Sequence, residues 1–127
     1  MTGAAGAGGE IVRGPAPGKG RASYVVHNGC VYTVGFPAGK KPNDDAAEQT
    51  RLALKCLDER LTQAGTSKHR VLEATVFLSD IKDRDAMDEE WVRWCPEGCG
   101  ISRATVGAAL SHGQLVEMKV TAAMPMP

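Results

Sequence analysis

The chain has 127 residues, which fits one domain able to bury roughly two-thirds of the surface it exposes when unfolded. Its 15 basic and 15 acidic side chains cancel, so no net field draws it to nucleic acid or an anionic membrane. No apolar run nears the roughly 20 residues of a spanning helix, and the start lacks signal-peptide and transit-peptide features, so a soluble cytoplasmic protein is expected.

Residues 1–9, Gly and Ala after Met1 and Thr2, have little to bury and predict a disordered tail, followed by a single domain over residues 10–127. Glu10 to Arg13 reads as a short strand. The glycines and prolines from Gly14 to Gly20 make a loop. Ala22 to His27 and Cys30 to Gly35 are β-rich runs around Asn28-Gly29, a hairpin turn signal. A second loop runs from Gly35 to Asn43. Asp44 or Asp45 then caps a helix to Ala64, with Gly65 as its stop. Its apolar stripe is Ala47, Thr50, Leu54, Leu57, Leu61 and Ala64.

From Val71 to Leu78 the pattern alternates, with Leu72, Ala74, Val76 and Leu78 on one face and Glu73, Thr75 and Phe77 on the other. A second helix begins near Asp83 or Asp85, carries the stripe Met87, Trp91 and Trp94, and ends at Pro96 and Gly98. Ser102 to Val106 and Leu115 to Ala122 are the closing strands, joined through Ser111-His112-Gly113-Gln114. If they pair, Arg103 and Glu117 face one small cleft, suited to holding a carboxylate and steering a water onto it. The order of elements predicts an α+β sandwich with both helices on one face of a sheet. The opposite face, with Thr75, Phe77, Leu115, Glu117, Lys119 and Thr121, is left either solvated or as a subunit interface.

Cys30 and Cys56 sit in apolar patterns and read as reduced, buried thiols. Cys95 and Cys99 form a lone C-x3-C without a second ligand pair, and His27, His69 and His112 are scattered, so no metal site is expected. Trp91 belongs to the core stripe. Phe36 follows Gly35 in a loop without periodicity and suits a pocket wall. Tyr24 is a further candidate lining residue, and Arg21 and Ser23 beside the Gly-rich loop are candidate ligand contacts.

Ala22 to Gly35, Gln49-Thr50, Val71 to Asp80, Arg103 to Val106 and Val116 to Ala122 together resemble the reactive intermediate deaminase family, also called Rid or YjgF. The resemblance covers residues 11–124. It implies a chorismate-mutase-like fold forming a homotrimer with clefts between adjacent subunits. It further implies hydrolysis of enamine and imine intermediates to 2-keto acids and ammonia, without metal or cofactor. By that resemblance Arg103 is the catalytic arginine that holds the substrate carboxylate, Glu117 orients the attacking water, and the backbone of Gly35 lines the pocket. A planar fork suits the first role, because a lysine cannot bind a carboxylate bidentately.

The chain departs from the archetype at four places. Thr105 stands where a cysteine is usual, Val34-Gly35-Phe36 replaces a serine-glycine-glutamine turn, Asp88 replaces an asparagine, and the loop from Phe36 to Asp45 is shorter. Thr105, Phe36 and Asp88 are therefore carried as substrate-binding positions of a non-archetypal subgroup. Two other readings compete. Endoribonuclease, an older name of the family, would want a basic patch interleaved with aromatics, and Lys40-Lys41 is the only adjacent Lys/Arg pair in the sequence. A catalytically silent trimer binding a small acid or a protein shares every feature above.

Overall fold

A computed structural model describes residues 9–126, so the expected tail lies outside the described residues except for Gly9. Strand β1 (Ile11–Arg13) pairs antiparallel with β2 (Tyr24–His27), which turns through Asn28 and Gly29 into β3 (Cys30–Gly35). Asn28 and Gly29 have φ of 49° and 76°, the left-handed backbone that a two-residue hairpin of this hand requires.

Helix α1 (Ala46–Ala64) starts at Asp45, whose carboxylate accepts from the Glu48 N–H at 2.9 Å. It stops at Gly65, whose φ of 99° lets its N–H reach the Leu61 and Thr62 carbonyls. The buried face is wider than the expected stripe, because Gln49, Ala53 and Cys56 join Thr50, Leu54, Leu57 and Leu61. Burying each leucine stabilises by roughly 1.5–3 kcal/mol. Gly35 lets the helix come this close to β3: a Cβ there would sit 2.8 Å from the Ala53 carbonyl oxygen.

Strand β4 (Val71–Leu78), helix α2 (Arg84–Trp94), β5 (Ser102–Gly107) and β6 (Val116–Ala123) complete the chain. The sheet has the order β1-β2-β3-β6-β4-β5. β5 and β6 therefore do not pair, contrary to the conditional expectation. β4 lies between them, parallel to β5 and antiparallel to β6. Burial explains the order: Val116, Met118, Val120 and Ala122 of β6 are all 1% exposed or less and need neighbours on both sides. β5 has no fully buried residue and takes the edge. The parallel step from β4 to β5 is bridged by α2, the crossover such a step requires.

A second correction concerns β4. An irregularity between Val71 and Glu73 shifts the register, so Val71 is buried and Leu72 is 50% exposed. From Ala74 onward the expected alternation holds, with Ala74, Val76 and Leu78 inward. Both helices pack on this same face, and Met87, Trp91 and Trp94 join one hydrophobic cluster with Leu57, Val76 and Met118. The result is an α+β fold with a six-stranded sheet and two α-helices among the described residues. No described helix covers the other sheet face, where Tyr32 and Val106 are 40% and 41% exposed. No described helix is long and apolar enough to cross a membrane.

Candidate functional site

Arg103 lies on β5 in register with Ala74, an inward residue, so its side chain turns toward α2 rather than toward the open face. There its Nη1 meets Asp88 Oδ1 at 2.8 Å, and its Cζ lies 5.1 Å from the centre of the Trp91 ring. The ring face and the carboxylate hold the guanidinium in one orientation, and only 13% of the side chain is exposed. Cys95, Gly98 and Ile101 complete a shallow groove around it. Thr105 follows on the same face, in register with Val76.

Glu117 stands on the opposite face. It is in register with Phe77, an outward residue of β4, and opens into a cleft of about 650 Å³. Phe36 forms part of the cleft wall, and Arg21, Lys40, Arg60 and His112 supply its cationic and titratable groups. Arg60 reaches the site from α1: its Nη1 donates to the Val34 carbonyl at 2.8 Å and its Cζ sits 5.1 Å from the Phe36 ring centre. The 111–114 turn closes one side and is tied to α1 by buried Gln49, whose Oε1 accepts from the Leu115 N–H at 2.8 Å. This is a physical use for the Gln49-Thr50 pair seen in the sequence.

Arg103 and Glu117 are thus separated within one chain. They lie three rungs apart along β4 and on the two strands flanking it, roughly 10 Å in each direction, and on opposite faces. A small imino acid cannot span that distance through the sheet.

The other sequence candidates are dispersed. Asp88 is the ion-pair partner of Arg103. Gly35 is buried against α1, with Val34 and Phe36 rather than Gly35 lining the cleft. Tyr24 packs over Gly14, its hydroxyl donating to the Gln63 carbonyl at 3.3 Å, and it is not part of the cleft wall. Ser23 is buried, with its Oγ unpaired among the described residues. Arg60 was missed because it reads as one more charge off the helix stripe; only the packing of α1 against Phe36 marks it. On the open face Lys119 is exposed by surface area, yet atoms crowding its ammonium displace water and push its pKa below 10.5.

The fold and its two sites place the chain in a class of small α+β proteins with one bare sheet face. The endoribonuclease L-PSP family model matches residues 15–124, and the chain belongs to that family, whose members also carry the names YjgF, Rid and RutC. It is 38% identical over 101 residues to the RutC family protein YoaB of Escherichia coli K12, covering 79% of this chain and 87% of YoaB. A YjgF family member from Neisseria meningitidis superposes with a TM-score of 0.85 at 29% identity, covering 93% of this chain and 98% of the other. A Rid family protein of unknown function from Yersinia pestis gives 0.80 at 29% identity, with 88% and 94% covered.

Proposed function

We propose that this protein is a cytoplasmic homotrimer with a chorismate-mutase-like fold that hydrolyses 2-imino and 2-enamino acids to 2-keto acids and ammonia. Its clefts lie between subunits, where Arg103 of one chain meets Glu117 of the next. The observation that carries this reading is the placement of Arg103. It is a rigid guanidinium on an edge strand, aimed away from the Glu117 of its own subunit, so a shared cleft takes two chains. The exposed Tyr32 and Val106 on the bare sheet face supply apolar surface for such an assembly.

In this reaction the planar guanidinium of Arg103 binds the substrate carboxylate in competition with Asp88. An enamine first takes a proton at carbon to become the iminium. Glu117 accepts a proton from water as the water oxygen bonds to the iminium carbon, giving a carbinolamine. That proton passes to the nitrogen, the C–N bond breaks and ammonia leaves, while the hydroxyl proton is released as the carbonyl forms. No covalent nucleophile is involved, so Thr105 in place of a cysteine leaves the chemistry intact. The balanced net charge supports this reading over RNA cleavage, which would favour a surface that attracts a polyanion.

The test generates imino acids in situ with an amino-acid oxidase and follows 2-keto acid release. Wild type accelerates release; Arg103→Ala loses the acceleration while remaining folded and trimeric by light scattering, and Arg103→Lys recovers little. Equal rates for wild type and Arg103→Ala across several imino acids would replace the deaminase with a silent binding trimer.

A further inference from the structure

We propose that the cleft beside Glu117 accepts the side-chain carboxylate of a dicarboxylic 2-imino acid, with Arg60 as the residue that selects it; this rests on the deaminase reading above. The cleft is lined by three basic side chains, Arg21, Lys40 and Arg60, against one carboxylate, Glu117. None of the three has an ion-pair partner among the described residues. Three arginines elsewhere are ion-paired, Arg51 and Arg93 to Glu90 and Arg103 to Asp88. The cleft lining therefore carries a local excess of positive charge.

Arg60 is the fixed member of this set. It is half-buried, with its Cζ over the Phe36 ring, and uses Nη1 on the Val34 carbonyl. That bond occupies one of five guanidinium donors and leaves others for an incoming anion. Stacking on an aromatic ring lowers the ordering cost of binding, because the fork is already oriented. Lys40 lines the cleft beside the 111–114 turn, where a Cβ on Gly113 would lie 3.5 Å from its Nζ. Arg21 folds back over Gly18, where a Cβ would collide with its guanidinium, and remains exposed to the cleft.

These groups reject a cationic side chain and leave an uncharged one without a charge-assisted partner at the guanidinium. A carboxylate satisfies Arg60 with charge-assisted bonds at a planar fork. With the α-carboxylate on Arg103 and the reacting carbon at Glu117, a second carboxylate lies farther inside the same subunit's cleft. The cleft volume of about 650 Å³ leaves room for it. A phosphoryl group shares the anionic chemistry, so the test separates the two.

The test measures binding of 2-oxoglutarate, 2-oxobutyrate and inorganic phosphate to the intact protein by calorimetry. It also follows hydrolysis of the imino acids made from glutamate and from 2-aminobutyrate. We expect 2-oxoglutarate to bind about tenfold tighter than 2-oxobutyrate, a ratio typical of one added charge-assisted contact. Arg60→Met, which keeps an apolar stem on Phe36, should reduce that ratio to near unity, and Lys40→Met should reduce it in part. Lys40 is in a loop, so its variant remains informative if Arg60→Met fails to fold. Equal binding of the two keto acids, a ratio that survives both variants, or phosphate binding as tight as 2-oxoglutarate each overturns the carboxylate subsite. Loss of all imine hydrolysis with the Arg60-dependent binding ratio intact instead refutes the deaminase reading and leaves the subsite standing.

Discussion

Asp88 occupies the guanidinium that the proposed substrate needs. The Nη1–Oδ1 distance is 2.8 Å, with 13% of the Arg103 side chain and 41% of the Asp88 side chain exposed. Asp88→Asn keeps the shape and an acceptor oxygen but removes the competing charge. Exposed ion pairs contribute about 0.2–1 kcal/mol, and hydrogen bonds to charged groups about 1.5–3 kcal/mol. A pair with one buried and one open partner falls near the lower boundary, about 1 kcal/mol. A substrate carboxylate no longer has to displace that interaction, so 2-oxobutyrate should bind about fivefold tighter to Asp88→Asn. Stability to urea should fall by no more than about 1 kcal/mol, because Arg103 retains Trp91 and an amide acceptor. Calorimetry at low ionic strength reads the first effect and an equilibrium unfolding curve the second. Unchanged or weaker binding would refute the reasoning, because the orienting contact of Asp88 would then outweigh its competing charge.

Gly35→Ala places a Cβ 2.8 Å from the Ala53 carbonyl oxygen and 3.2 Å from Leu57 Cβ. Such overpacking should cost about 1–3 kcal/mol in urea unfolding, and a neutral result would mean that α1 moves freely on β3. Ser23→Ala removes a buried hydroxyl that has no partner among the described residues, so stability should stay equal or rise; a loss above about 1 kcal/mol would mean that the hydroxyl is hydrogen-bonded in solution. Desolvation lowers the pKa of folded Lys119 below 10.5, so its destabilising charge is present in full below the folded value. Between that value and 10.5 the unfolded chain binds more protons, and stability should rise with pH. Lys119→Met should remove this increment, and identical pH profiles for wild type and variant would contradict the assignment.

Local signals were enough to specify most elements. Asn28-Gly29 set the hairpin, Asp45 and Gly65 bounded α1, and the spacing of Met87, Trp91 and Trp94 identified the buried side of α2. These features are legible because a turn, a cap or an amphipathic stripe depends on residues within a few positions of each other. The sequence also brought forward Arg103, Glu117 and Phe36. Strand order was a different matter. Whether β5 pairs with β6 depends on which strand needs two neighbours to bury its side chains, a competition across the whole sheet that leaves no local mark. The same competition put Arg103 and Glu117 on opposite faces, joined Asp88 to Arg103, and turned Gly35 toward α1. Arg60 shows the limit most clearly. Along the helix it is one charge among several, and it becomes part of a cleft only where α1 packs against the loop that carries Phe36.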